Sequence, residues 1–214
     1  MMAEEVRGER IVVRFDGHKC IHSRHCVLDL PSVFVPNQPG EWIYPDRVPS
    51  EDVAALARSC PSGAITYERL DDGANERPPE VNIVRLRENG PLAFHGELTI
   101  GEDTVGFRAT LCRCGASQHK PYCDGSHNGI AFAATGEPPA KESEPLARRN
   151  GPLSVVPTPD GPLKVEGSLE ICAGTGRALN RTTKVFLCRC GGSANKPYCD
   201  GTHKRIGFMD APAA

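Results

Sequence analysis

One sixteen-residue segment occurs twice in this chain, and both copies contain the same four potential metal ligands. The copies occupy 112–127 and 188–203, and the ligand spacing in each is C-x-C-x8-C-x3-H. Three thiols and one imidazole that keep their spacing in two copies predict two equivalent metal sites. The candidate ligands are Cys112, Cys114, Cys123 and His127 in the first copy, and Cys188, Cys190, Cys199 and His203 in the second.

The ligand spacing also predicts the local backbone of each site. Side chains at i and i+2 of an extended segment point to the same side, so Cys112 and Cys114 are expected to bind one metal atom together. Gly115 allows a sharp turn after them. Asp124 is a good helix N-cap, and Cys123 and His127 are about one helical turn apart. A short helix would therefore present the third thiol and the imidazole on one face.

The spacing by itself leaves zinc and an iron–sulfur cluster open as alternatives. Three cysteines and one histidine bind zinc in some proteins, although zinc motifs usually pair cysteines as C-x2-4-C. Disulfides are not expected, because residues 1–10 do not resemble an apolar signal segment.

Both segments carry the motif C-x-C-x2-[ST]-x3-P-x-C-D-G-[ST]-H residue for residue, and in this they resemble the CDGSH iron–sulfur family. The resemblance implies a [2Fe–2S] cluster in each copy, with the first two cysteines on one iron and the third cysteine and the histidine on the other. Members of the family form homodimers, which implies a monomer here whose two copies pack as an internal pseudo-dimer with a pseudo-two-fold axis. Some relatives have a membrane anchor, whereas this chain has no apolar run near the roughly 20 residues of a spanning helix.

A third group of cysteines precedes the repeat and consists of Cys20, Cys26 and Cys60. The patterns around them predict three strands and two helices, at 10–15, 27–34, 41–44, 50–58 and 64–67. Ser50 is expected to cap the second helix. This β-α-β-α-β order, with C-x5-C at one end and Cys-Pro at the other, resembles single-cluster bacterial ferredoxins, including the divergent mono-cluster type.

The ferredoxin resemblance implies a cluster whose type depends on one position. In such ferredoxins the ligands follow C-x2-X-x2-C…C-P, and X is cysteine in ordinary [4Fe–4S] forms. Here X is Ser23, which leaves three thiolates and implies a [3Fe–4S] cluster, as in short ferredoxins that serve cytochrome P450s. Two alternatives stay open: a [4Fe–4S] cluster with Ser23, His22, His25 or water on the fourth iron, and a cluster-free domain with structural cysteines.

Composition and repeat boundaries predict an α+β protein of three domains. Polar segments at 71–79 and 135–145 separate a ferredoxin-like domain from two small β-rich CDGSH units. The expected domains are 1–72, 80–136 and 146–214. The repeat offset grows from 71 to 76 residues near Cys172, which we interpret as a free thiol without a role.

The combined features predict a cytoplasmic electron-transfer protein rather than an enzyme. A net charge of -2 offers no electrostatic basis for binding nucleic acid, and no catalytic triad, dinucleotide fingerprint or phosphate loop is present. Expected partners are redox proteins, namely a reductase, a cytochrome P450 or an apo iron–sulfur acceptor. Two alternatives are an iron–sulfur cluster carrier or redox and pH sensor, and an electron-relay subunit of an oxidoreductase.

Overall fold

A computed structural model describes residues 4–210 and divides the chain into two compact units at the boundary between residues 77 and 78. Each unit has its own hydrophobic core. Both contain strands and helices, so the predicted α+β class is confirmed. Among the described residues, no helix has the length and apolar character needed to cross a bilayer.

The N-terminal unit packs two helices on a three-stranded antiparallel sheet. The strands, in the spatial order β1-β2-β3, are β1 (Glu4–Arg7), β2 (Ile11–Phe15) and β3 (Ile65–Arg69). The helices are α1 (His25–Asp29) and α2 (Ser50–Ser59), and a 3-10 turn spans Pro45–Arg47. Helix α2 buries its apolar stripe, Val53, Ala54, Leu56 and Ala57, in the core of this unit. That stripe has the i, i+1, i+3, i+4 spacing of an amphipathic helix.

The predicted β-α-β-α-β order of this unit is wrong, and the observed order is β-β-α-α-β. Residues 41–44 do not form a strand, because only one isolated bridge, Phe34 to Ile43, pairs them. The additional strand is β1, whose residues are mostly exposed and so lack a buried alternation. Ser50 is not the N-cap of α2, because Pro49 holds that position and the Ser50 hydroxyl donates to Asp71 instead (2.8 Å).

Over its described residues, 78–210, the C-terminal unit contains six strands and two one-turn helices, with three strands and one helix from each copy. The first copy supplies β4 (Ile83–Leu86), β5 (Leu92–Ile100), β6 (Asp103–Leu111) and α3 (Ser126–Gly129). The second supplies β7 (Pro152–Pro157), β8 (Leu163–Cys172), β9 (Ala178–Leu187) and α4 (Thr202–Arg205). Hairpins β5–β6 and β8–β9 are antiparallel and lead into the two ligand segments.

The two copies share their strands reciprocally. Strand β4 pairs antiparallel with β5 of its own copy and parallel with β8 of the other. Strand β7 pairs antiparallel with β8 and parallel with β5. Strands β5, β4, β8 and β7 therefore close a ring of hydrogen-bonded strands around one core, to which Phe94 and Leu98 contribute from the first copy and Leu163 and Leu169 from the second. Neither copy completes this core alone.

Two features of this unit break the equivalence of the copies. The turn between β8 and β9 occupies 173–177, whereas the turn between β5 and β6 has only residues 101–102, so the extra residues of the second copy lie mainly there. The polar segment between the copies also lies along β9, because the Lys141 amide donates to the Leu179 carbonyl (2.8 Å) and the Ser143 hydroxyl accepts from the Arg181 amide (3.0 Å).

Candidate metal centres

The structure brings the ligands of each copy together as two pairs. Strand β6 continues into the first pair, whose Sγ atoms lie 3.7 Å apart, and strand β9 continues into the corresponding pair of the second copy, also 3.7 Å apart. The Sγ of Cys123 lies 3.5 Å from Nδ1 of His127, and the Sγ of Cys199 lies 3.4 Å from Nδ1 of His203. Within residues 4–210, no three His, Cys, Asp or Glu side chains are grouped closely enough to hold a single metal ion.

Backbone amides point at the sulfur atoms of these ligands. In the first copy, Gly115 donates to Cys112 (3.3 Å), Ala116 to Cys114 (3.4 Å) and Gly125 to Cys123 (3.4 Å). Such donors stabilise thiolates, which are the form of cysteine that binds iron. The donor set and these amides therefore fit an anionic iron–sulfur cluster.

The three thiols of the first ligand loop differ in acidity. The hydrogen bond from Cys114 lowers the pKa of Cys112, and the same bond raises the pKa of Cys114. Burial raises the pKa of Cys123 to about 11, and burial lowers the pKa of His127. The thiols therefore differ in how readily each forms the thiolate that binds a metal.

The remaining motif residues close the loop around the ligands. Ser117 Oγ donates to the Tyr122 carbonyl (2.6 Å) and accepts from the His119 amide (3.1 Å). Asp124 accepts from the amides of Gln118 (2.7 Å) and Ser126 (2.9 Å). Although burial raises the pKa of Asp124, the hydrogen bonds from Ser126 and Gln118 outweigh it and lower that pKa to about 2.

The predicted N-cap role of Asp124 is wrong by one residue. Gly125 occupies the N-cap of α3 with a φ of 86°, and Gly201 does so for α4 with a φ of 85°. One oxygen of the Asp124 carboxylate accepts from the Ser126 amide at the start of the helix, and the other crosses the loop to the Gln118 amide. Asp200 makes the same cross-loop contact to the Ala194 amide (2.8 Å). A glycine fits the cap because the left-handed conformation is strained for other residues.

A buried arginine separates the first two cysteines of each copy, and it is not among the site residues predicted from the sequence. Arg113 is 1% exposed and donates to the carbonyls of Gly90 (2.8 Å), Ala134 (3.0 Å), Thr135 (3.1 Å) and Arg87. Since residues of an extended segment alternate in direction, the cysteines face one side and the guanidinium the other. The repeat itself points to a role for this position, because an arginine occurs between the first two cysteines of both copies.

Arg189 makes the corresponding contacts in the second copy, but one of its acceptors is a carboxylate and not a carbonyl. It donates to the carbonyls of Gly161 (2.7 Å) and Thr158, and it forms an ion pair with Asp210. Burial lowers the pKa of Arg113 to about 10, which leaves this guanidinium protonated at neutral pH. Each ligand loop is therefore anchored to the turn that begins its own hairpin by a buried cation.

The two ligand loops meet at their second cysteines. An isolated antiparallel bridge joins Cys114 and Cys190, one from each copy. The glycines that follow make this approach feasible: a Cβ on Gly115 would lie 2.7 Å from the Cys190 carbonyl oxygen, and one on Gly191 would collide with the Cys114 carbonyl oxygen. The turn predicted at Gly115 is present, with a φ of 87°, and the glycine also permits contact between the two sites.

The third group of cysteines lines a cavity of about 450 Å³ in the N-terminal unit. The apolar part of its wall includes Phe15, Trp42, Leu56 and Ile65, and all three cysteines of this unit also line it. Burial raises the pKa of Cys20 and of Cys26. The cavity therefore collects the three predicted thiols in an apolar setting.

The residues considered as a fourth ligand differ in their surroundings. His22 lies beside Cys20, with its amide 3.4 Å and its Nδ1 4.0 Å from that Sγ. His25 is directed to Asp29, with Nδ1 3.5 Å from the carboxylate. Ser23 lines the cavity and is exposed to solvent.

The ligand loops and the cysteine-lined cavity have the donor composition of iron–sulfur sites. A family model described as iron-binding zinc finger CDGSH type matches residues 89–128 and 160–204, and a model described as divergent 4Fe-4S mono-cluster matches residues 6–70. The chain therefore contains two tandem regions that match the CDGSH family and an N-terminal region that matches the divergent 4Fe–4S mono-cluster family.

Curated relatives match a smaller part of the chain. The uncharacterized protein YjdI of Escherichia coli K12 is 39% identical over 61 residues, which is 28% of this chain and 78% of YjdI. YjdI of E. coli O157:H7 matches with the same identity and coverage.

Proposed function

We propose that this protein transfers single electrons and catalyses no reaction of its own. The observation that supports this proposal best is the bridge between Cys114 and Cys190, which holds one ligand loop directly against the other. A [2Fe–2S] cluster supplies reversible one-electron oxidation and reduction at each loop. The shared ring of strands keeps the loops in fixed proximity, so an electron accepted at one site has a short path to the other.

The residues proposed to hold the clusters are those predicted from the sequence. Two cysteines bind one iron of each [2Fe–2S] cluster, and a cysteine and a histidine bind the other; the observed grouping of ligand atoms into close pairs supports this assignment over a four-ligand zinc site. A neutral imidazole in place of a thiolate raises the reduction potential, as it does in Rieske centres. The reciprocal strand pairing supports an internal pseudo-dimer in a monomeric chain.

We expect the two CDGSH copies to account for about four Fe and four sulfide ions per chain, because each [2Fe–2S] cluster contributes two of each. Metal and sulfide analysis should be made on anaerobically purified protein with Cys60→Ser, which removes a ligand of the third site. The matched double variant Cys112→Ser with Cys188→Ser should lose these ions. Stoichiometric zinc after expression with ample iron would contradict the assignment.

The electron-carrier proposal is tested by a reduction cycle. Dithionite-reduced protein should pass electrons to oxidised cytochrome c, and on reoxidation it should recover its visible spectrum with its iron intact. The rival function, donation of clusters, is favoured by the partial exposure of His127 and His203. Loss of iron at the rate at which an added apo-ferredoxin gains a [2Fe–2S] spectrum would establish donation instead.

For the N-terminal unit we propose a [3Fe–4S] cluster bound by Cys20, Cys26 and Cys60, in a domain whose family is named for a [4Fe–4S] cluster. Three thiols in one cavity support it. The oxidised protein should then show an EPR signal before any reductant is added, since oxidised [2Fe–2S] and [4Fe–4S] centres are silent. Ser23→Cys should supply a fourth thiolate and abolish this signal without loss of iron.

Ser23→Ala is the matched control for this prediction. It removes the hydroxyl and adds no ligand, so the signal should persist if Ser23 does not bind iron. An EPR-silent oxidised wild type with iron at this site would instead favour the four-iron form, and His22, which lies beside Cys20, would be the first residue to replace. We also propose a cytoplasmic location and a redox protein as partner.

A further inference from the structure

The two CDGSH copies differ in charge immediately after the histidine ligand. The first copy continues with Asn128 and Gly129, whereas the second continues with Lys204 and Arg205. All four residues are exposed. Within residues 4–210, neither Lys204 nor Arg205 forms an ion pair. Two cations that are directed to solvent therefore adjoin the second site, and the first site has none at these positions.

The ligands of the second site are also more accessible. Cys123 is 3% exposed and counts among the buried residues, while its counterpart Cys199 is partly exposed. Cys114 is itself 9% exposed and Cys190 is partly exposed, so the contrast between the sites rests on Cys123 and Cys199. Since electron transfer between proteins requires close approach to the redox centre, the second site is the more suitable one for an external partner.

Exposed apolar side chains lie beside the two cations. Ile206 is 47% exposed and Met209 is 53% exposed. Ile206 has an equivalent in the first copy, Ile130, but Met209 corresponds to the smaller Ala133. We call Lys204, Arg205, Ile206 and Met209 the α4 face. An apolar centre with a polar rim is the usual anatomy of a protein interface.

We propose that the α4 face docks an acidic one-electron carrier protein, and that the second site rather than the first exchanges electrons with it. This inference rests on the proposed electron-transfer function. In the exchange, one electron leaves the reduced partner, which is oxidised by one electron, and the second site is reduced by one. No bond is formed or broken and no proton is transferred. The first site then receives the electron through the contact between Cys114 and Cys190.

An acidic protein is the occupant that the charges favour. The chain as a whole carries a net charge of -2, so attraction of an anionic partner must come from a local patch. Opposite charges at the rim of an interface steer the approach of a partner and raise the association rate at low ionic strength. Two adjacent cations on a one-turn helix make such a patch at the second site alone.

The test uses a plant-type [2Fe–2S] ferredoxin, a strongly acidic one-electron carrier, as the probe. Its affinity for the full-length protein is measured by calorimetry at low and at high salt, and its electron transfer rate by stopped flow. Lys204→Gln with Arg205→Gln should weaken binding at least tenfold at low salt and remove most of its salt dependence. Arg85→Gln with Arg148→Gln removes the same charge from exposed residues outside the α4 face and should change the affinity less than twofold.

Three outcomes would overturn the inference. The two double variants could weaken binding equally, which would indicate an effect of net charge, or the Lys204 and Arg205 variant could bind like wild type. Alternatively, the wild-type protein could fail to bind ferredoxin and instead sediment with vesicles of phosphatidylcholine and phosphatidylglycerol, with this sedimentation lost in the Lys204 and Arg205 double variant. Iron content, sulfide content and reversible reduction are measured for every variant. Failure of those tests contradicts the proposed function. Intact clusters with unchanged affinity for ferredoxin contradict only the docking surface.

Discussion

Replacing Gly115 with alanine is expected to separate the two CDGSH copies at their ligand loops. The new methyl group would lie 2.7 Å from the carbonyl oxygen of Cys190, which is backbone and has no side-chain freedom to move away. The residue also has a φ of 87°, a conformation that alanine adopts at a cost. The strain and the clash together should destabilise the C-terminal unit by about 3 kcal/mol or more. Thermal denaturation and iron content would measure the loss.

Gly125→Ala is the matched control for this variant. Gly125 has a φ of 86°, but a Cβ at this position would meet no atom within 4 Å. It therefore carries the conformational cost alone, about 1–2 kcal/mol. If both variants lost the same stability and kept the same iron, the contact between the ligand loops would contribute nothing. Gly191→Ala should resemble Gly115→Ala, because its methyl group would collide with the Cys114 carbonyl oxygen.

The sequence predicted the features of the ligand loops that depend on local geometry. Separations of two and four residues determine which side chains meet, and the structure places Cys112 near Cys114 and Cys123 near His127. The repeat also located the hairpins that precede the loops. Whether these side chains bind iron remains a prediction, since proximity does not identify the metal.

The reciprocal strand pairing could not be derived in this detail from the sequence. The parallel pairing of β4 with β8 joins residues that are far apart in the chain, and the apolar pattern of a strand does not say which strand lies beside it. The repeat suggested that the copies pack together, through the family resemblance. It did not show that each copy depends on a strand of the other.

The errors in the N-terminal unit have a similar origin. Residues 41–44 have an apolar, strand-like composition, but they form one isolated bridge, from Ile43 to Phe34, and no continuous strand pairing. Strand β1 has little apolar content, and a cross-strand network supports it: Arg14 in β2 pairs with Glu5 in β1 and Glu68 in β3, both at 2.7 Å. Local propensity is a weak guide to strands, because their stability comes from neighbours across the sheet.

Arg113→Met should cause a large loss at the first CDGSH site. The guanidinium donates to the carbonyls of Gly90, Ala134, Thr135 and Arg87. With methionine, the Arg87 and Ala134 carbonyls still accept from the backbone amides of Gly90 and Asn89, so the loss falls mainly on the buried bond to Gly90 and on the bond to Thr135. A buried acceptor without a partner costs about 1–3 kcal/mol, so a loss of roughly 2–4 kcal/mol is expected. The anchor between the ligand loop and the start of its hairpin would be gone, and anaerobically purified protein should contain about two fewer Fe ions.

Arg113→Lys separates the charge of this side chain from its hydrogen bonds. Lysine keeps a cation near Cys114 but lacks the planar fork that reaches several carbonyls at once. Stability should therefore fall for both variants, and further for methionine. The reduction potential of any cluster retained at this site should fall only with methionine, because loss of a nearby cation destabilises the reduced, more negative form. EPR-monitored redox titration would measure that potential. Wild-type iron content and stability in Arg113→Met would show that the loop holds its ligands without this anchor.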